Sequence, residues 1–139
     1  MMKIDGSCLC GHVSYEAEID PGGVMICHCT DCQTHSGTAF RYGVLVKKED
    51  FRLVTGELKF YIKTSDGGSK RALGFCPECG TSIYGSDADQ PKIYSLRLGT
   101  ARQRGNFVPS LQIWQRSAVK WLNDIAAIKS VDKQPQLEK

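Results

Sequence analysis

The chain has no apolar run near the ~20 residues that a membrane-spanning helix needs. Its first residues, MMKIDGSCLC, lack the apolar core of a secretory signal. A cytoplasmic setting is therefore expected, with no membrane partner. A dense Lys/Arg run is also missing, and the net charge is only +3. Nucleic acid is thus not expected as a partner, and the slight positive excess favours small anionic ligands. There is no internal repeat beyond clustered cysteines, no low-complexity linker and no shift in composition that marks a boundary. The 139 residues read as one domain, 1–139, with a core of about 3–125 and a C-terminal tail at 129–139.

Helical periodicity is scarce. Thr30–Thr34 has room for one turn with Thr30 as its cap. Trp121–Ile128, apolar at 121, 122, 125, 126 and 128, predicts a short helix or a packed tail. Residues Asp132–Lys139 read as frayed. Most of what remains is β. In His12–Ile19, Val13, Tyr15, Ala17 and Ile19 alternate with polar residues, the period of a half-buried strand. Phe40, Tyr42, Val44 and Val46 repeat it. Further strands are predicted at Leu58–Lys63, Lys70–Phe75, Thr81–Tyr84, Lys92–Leu98 and Leu111–Gln115. Turn signals lie between them: Asp20-Pro21-Gly22-Gly23, Thr55-Gly56 and Ser65-Asp66-Gly67-Gly68. The predicted fold class is mostly β, with antiparallel sheets, short loops and little helix.

Against this background seven cysteines are too many, and an odd number fits disulfides badly. They fall into three clusters: Cys8-Leu9-Cys10, Cys27-His28-Cys29-Thr30-Asp31-Cys32, and Cys76-Pro77-Glu78-Cys79-Gly80. The last is a zinc-knuckle turn. After the first cysteine of C-x-x-C-G the backbone amides point at its thiolate, and the glycine permits a positive φ. A knuckle supplies two ligands and needs another pair. Cys8 and Cys10 can provide it and close a four-thiolate structural site. The knuckle could instead take two of Cys27, Cys29 and Cys32, but that strands a thiol and leaves Cys8 and Cys10 without a role. The four-plus-three division uses all seven, and three protein ligands with an exchangeable fourth position is the pattern of a catalytic zinc. Two other readings compete. Buried apolar cysteines would be scattered rather than clustered, and a redox pair at Cys29-x-x-Cys32 would leave Cys27 over and lacks its usual βαβ setting.

His28 sits between two candidate ligands, so its side chain should point away from a metal they share and serve an orienting or surface role. His35, a turn after Cys32, is a candidate fourth ligand or proton carrier. His12 reads as a strand-surface residue. A zinc held by three thiolates is a weak Lewis acid. It suits a fourth, exogenous thiol better than water, and a coordinated thiol is deprotonated outright. The predicted partners are accordingly a small-molecule thiol and a carbonyl electrophile that it attacks.

G-S-C-L-C-G-x-V-x-Y at 6–15, C-H-C-T-D-C-Q at 27–33, S-G-T-A-F at 36–40 and F-C-P-E-C-G-T at 75–81 resemble the glutathione-dependent formaldehyde-activating enzyme family, whose domain also occurs in a centromere protein. Ile113-Trp114 and Trp121-Leu122 look like its C-terminal pattern. The resemblance implies a zinc-stapled, complex β fold of β-tent type with two zinc ions per chain. It implies Cys8, Cys10, Cys76 and Cys79 as structural zinc ligands and Cys27, Cys29 and Cys32 as catalytic ones, with no further catalytic residue. The implied activity is that of a carbon–sulfur lyase: condensation of glutathione with formaldehyde to S-hydroxymethylglutathione, with glutathione as substrate or co-substrate. A related small aldehyde is the variant substrate. The rivals are a non-enzymatic zinc module that binds a thiol metabolite or a protein, and a zinc-thiolate redox sensor. Glutathione's carboxylates would want cations near the open site, and Arg41, Arg71, Arg97, Arg102 and Arg104 are the candidates.

Overall fold

The computed structural model describes residues 1–136. Residues 137–139 of the predicted frayed tail lie outside the described residues; 129–136 are exposed and form no regular element. Ten strands and one α-helix make up the framework. These are β1 (Met2–Ser7), β2 (Ser14–Ile19), β3 (Val24–Cys27), α1 (Thr30–Ser36), β4 (Arg41–Lys47), β5 (Phe51–Thr55), β6 (Lys59–Thr64), β7 (Lys70–Phe75), β8 (Ser82–Asp87), β9 (Ile93–Arg97) and β10 (Leu111–Ile113). The mostly β expectation holds. Strands β1, β3 and β5 were not predicted. Only Ile4 of β1 is buried, and β3 is four residues of near-continuous apolar sequence, so neither shows a clean period of two.

Two sheets result. One is antiparallel, in the order β1–β2–β5; the other runs β10–β3–β4–β9–β8–β7–β6. The second departs from the antiparallel expectation at one place, where β10 lies parallel to β3. A parallel neighbour needs a long crossover, and everything from β4 to β9 lies between them in sequence. No spacing of turns near ten residues could have announced it.

Val13, Tyr15, Ile19, Val24, Val44, Ile83, Leu96 and Leu98 form the centre of the core, each at 1% exposure or less. Phe51 joins the sheets. It stacks on Tyr15 at 5.3 Å and turns its edge to Tyr84 and Tyr94, which stack on each other at 4.1 Å. Such aromatic pairs add about 0.5–1.5 kcal/mol each beyond their buried area.

Tyr15 has a further consequence. Its hydroxyl pairs with Thr100 Oγ1 at 2.8 Å, and Thr100 Oγ1 donates to the Arg97 carbonyl at 2.7 Å. Burial pushes the phenol up to about 12, against the pull of the Thr100 hydroxyl. A pKa raised on folding contributes stability that is complete below the unfolded value, near 10, and is lost as pH rises through 12. About 3 kcal/mol should therefore disappear over that window. The urea midpoint is expected to fall between pH 9.5 and 11.5, and Tyr15→Phe should flatten that fall. An equally steep fall in the variant would remove Tyr15 as the cause.

The C-terminal expectation is corrected in part. Lys120–Ala127 is a 3-10 run broken at Asp124, with Trp121 and Ile125 more than half exposed. It is neither an α-helix nor a tail packed into the core. No helix among the described residues is long and apolar enough to cross a membrane.

Candidate metal centres

Cys8 and Cys10 lie in the turn between β1 and β2, and Cys76 and Cys79 in the turn between β7 and β8. The turns are built alike. The Cys8 amide donates to the Val13 carbonyl and the Cys76 amide to the Thr81 carbonyl, both at 2.9 Å. The Val13 amide donates to Cys8 Sγ at 3.2 Å and the Glu78 amide to Cys76 Sγ at 3.4 Å. Gly11 at φ +83° and Gly80 at φ +80° close the two turns in the left-handed region that glycine enters freely. Thr81 Oγ1 accepts from the Leu9 amide at 3.1 Å and holds the turns together.

The four sulfurs all lie within 4.8 Å of one another, with Cys8–Cys10 at 3.6 Å and Cys10–Cys76 at 3.8 Å. A tetrahedron with zinc–sulfur bonds of about 2.3 Å has edges of about 3.8 Å, so the donor set fits a divalent ion. Four thiols this close cannot all ionise by themselves. The Thr81 hydroxyl and amide draw Cys79 down to about 5. Against the pull of the His12 amide, burial and the neighbouring sulfurs push Cys10 up to about 12.

The remaining three cysteines form the second group, their sulfurs also within 4.8 Å of one another. Cys27 ends β3 opposite Arg41 of β4. Cys29 is the N-cap of α1, its sulfur accepting from the Cys32 amide at 3.3 Å. Thr30, the predicted cap, is instead the first helical residue, and the helix runs two residues past the expected turn to Gly37. A sulfur at a helix N-terminus meets unpaired amides and the positive end of the dipole, both of which favour thiolate. Arg41 adds a charge: its Nε donates to Cys32 Sγ at 3.3 Å. Burial raises the Cys32 pKa, but the Arg41 charge and the bonds to it outweigh this and the thiol is held low. Burial and the Cys32 thiolate push Cys29 up to about 12.

His28 does face away from the sulfurs, but it is 2% exposed, which corrects the surface alternative. Its Nε2 bonds Gln112 Oε1 of β10 at 2.8 Å, and its ring meets Phe40 edge-on at 6.1 Å. Its amide donates to the Ile113 carbonyl at 3.0 Å, and its carbonyl accepts from Gln33 Nε2 at 2.7 Å. The parallel strand β10 thus braces the cysteine loop, and this gives Gln112 and Gln33 positioning roles. Gln112 lies in no quoted motif, and Gln33 ends the C-H-C-T-D-C-Q run without a role that the run itself announces, because both act through backbone and imidazole bonds. His35 is exposed and stands outside the group of close ligand atoms. Partial burial, then the charges of Arg97 and Lys63, hold its pKa below the usual range. His12 pairs with Glu57 at 3.0 Å on the surface.

The arginine candidates separate. Arg41 touches Cys32. Arg97, on the neighbouring strand, donates to the Ser95 carbonyl at 2.9 Å and its Oγ at 3.0 Å. Arg71 lies further along the same sheet, opposite Asp87. Arg102 pairs with Asp5 at 2.9 Å, and Arg104 bonds the Ala101 carbonyl at 3.2 Å. These last two are engaged by partners outside the three-cysteine group.

Comparison with known proteins agrees with this architecture. The model of the glutathione-dependent formaldehyde-activating enzyme family matches residues 3–117, a span that contains both cysteine groups. Trp121-Leu122, read from sequence as part of the family pattern, lies beyond the match. No curated protein matches the chain. A structural-genomics crystal structure of a Rhodobacter sphaeroides protein has the same fold, with a TM-score of 0.60 at 20% identity over 78% of this chain and 98% of that one.

Proposed function

The chain belongs to the glutathione-dependent formaldehyde-activating enzyme family, and from that premise we propose that it is a zinc-dependent carbon–sulfur lyase. The reaction joins glutathione and formaldehyde as S-hydroxymethylglutathione, and the reverse reaction cleaves that adduct. In this reading Cys8, Cys10, Cys76 and Cys79 hold a structural zinc and Cys27, Cys29 and Cys32 a catalytic one. The observation that carries it is the second group: three sulfurs within 4.8 Å, with no His, Asp or Glu ligand atom among the described residues joining them. Zinc bound there would supply a low-pKa site for one exogenous thiol.

The chain's own residues set up the rest. The α1 amide at Cys29 and the Arg41 guanidinium at Cys32 drain charge from the sulfurs they touch and leave the centre more receptive to an added thiolate. His28, locked between Gln112 and Phe40, fixes the loop that carries Cys27 and Cys29. The chemistry balances without a redox partner. The sulfur–carbon bond forms as the carbonyl π bond opens, and the proton lost by the thiol ends on the new hydroxyl.

The expected result is that protein with two zinc ions per chain speeds exchange between glutathione, formaldehyde and adduct, read as exchange cross-peaks by NMR. Fully loaded protein that leaves the exchange rate at its uncatalysed value removes the lyase reading and leaves the non-enzymatic module.

A further inference from the structure

Alternate residues of β4, β9, β8, β7 and β6 point to the face of the large sheet opposite the core. Across that face the register aligns Gly43 with Arg97, Ser95 with Gly85, Gly85 with Leu73, and Arg71 with Lys63. The face is curled, since Lys63 of β6 reaches Asp31 of α1 at 2.8 Å although three strands separate β6 from β4. Two glycines clear its floor. A Cβ on Gly85 would lie 3.1 Å from Arg97 Nη2, and one on Gly43 would lie 2.7 Å from the Leu96 carbonyl oxygen and 3.6 Å from Arg41 Nη1.

Two arginines lie in this cleared space, and both donate to Ser95 Oγ, which is buried. Their charges are not answered equally. Arg41 bonds the Cys32 sulfur. Among the described residues no carboxylate lies within salt-bridge distance of Arg97. A mostly buried guanidinium without a counter-ion is costly. Burial, then the nearby Arg41 charge, holds Arg97 down to about 10. Arg41 bonds the three-cysteine group directly, whereas the hydrogen bonds of Arg97 go to Ser95.

We infer that Arg97, held by Ser95 above Gly85 beside the three-cysteine group, receives a carboxylate of the thiol substrate, so that the site selects carboxylate-bearing thiols over neutral ones. This rests on the thiol reading of that group. The path Cys32 Sγ, Arg41, Ser95 Oγ, Arg97 is hydrogen-bonded throughout. A planar guanidinium matches the two oxygens of a carboxylate, whereas an ammonium offers a point charge.

The test uses S-methylglutathione, which keeps both carboxylates but has no thiol to react, and its diethyl ester, in calorimetric titrations of the zinc-loaded protein. The wild type should bind the acid at least about tenfold more tightly than the ester. Arg97→Met should abolish that preference without lowering the urea midpoint, because it removes an unpaired buried charge. Arg97→Lys should keep the fold and part of the preference. A wild type that does not prefer the acid, or a folded Arg97→Met that still does, overturns the inference. So does full preference in Arg97→Lys should the methionine variant not fold. Exchange activity without any acid preference would leave the lyase reading standing and remove Arg97 from substrate binding. Acid preference without exchange activity would do the reverse.

Discussion

Cys76→Ser is expected to yield a chain with no cooperative unfolding transition. The side chain is 0% exposed and sits in the same buried cluster as Cys8 and Ile83. Through the four-sulfur group it ties the β1–β2 turn of the small sheet to the β7–β8 turn of the large one. A structural zinc site contributes on the order of 10 kcal/mol or more to folding, as much as the whole stability of an ordinary domain, about 5–15 kcal/mol. Serine is a poor zinc ligand, and its hydroxyl would be buried where a thiolate had been neutralised. The prediction is read by near-ultraviolet circular dichroism and urea titration, with metal content measured beside them. A variant that melts cooperatively at the wild-type midpoint would show that the four cysteines are not a staple.

What was legible in the sequence follows from how local each signal is. Lys70–Phe75 was predicted with its observed bounds, because its flanking turn and knuckle are written in adjacent residues. The grouping of Cys8 and Cys10 with Cys76 and Cys79 could be argued from ligand counting, although about seventy residues separate them. Counting could not reveal the cradle of the other three. Gln112 reaches His28 from 84 residues away. Arg41, Ser95 and Arg97 meet only because β4 and β9 are neighbours in the sheet. Among five candidate arginines the sequence held no basis for choosing, since charge type is the same in all and only register decides which faces the sulfurs. Cys29 was legible as a candidate ligand, but its second role as a helix cap was not. Thiol caps are unusual, and Thr30 next to it is a better cap by residue preference.

That second role makes Cys29→Ser the sharpest test of the three-cysteine group. Serine is among the best N-cap residues, so its oxygen can take over the bond from the Cys32 amide that the sulfur now accepts at 3.3 Å. Helix α1 should therefore stay folded, with stability within about 1 kcal/mol of wild-type protein compared with the three-cysteine group free of metal, whereas Cys29→Ala would lose roughly that much with the cap. Metal binding should respond quite differently. Removing one of three thiolates leaves two donors, too few for a zinc site with three protein ligands. Zinc content should fall from two ions per chain to one, the ion of the four-sulfur group remaining. Losing even an outer partner of a metal ligand typically costs about 10–100-fold, so losing a ligand should bring the exchange of glutathione with formaldehyde to the uncatalysed rate. The paired measurements separate the two cysteine groups: Cys76→Ser removes the fold and with it everything else, and Cys29→Ser removes one metal and the reaction from a fold that stands. Exchange at the wild-type rate in a Cys29→Ser protein holding one zinc would move the chemistry away from the three-cysteine group.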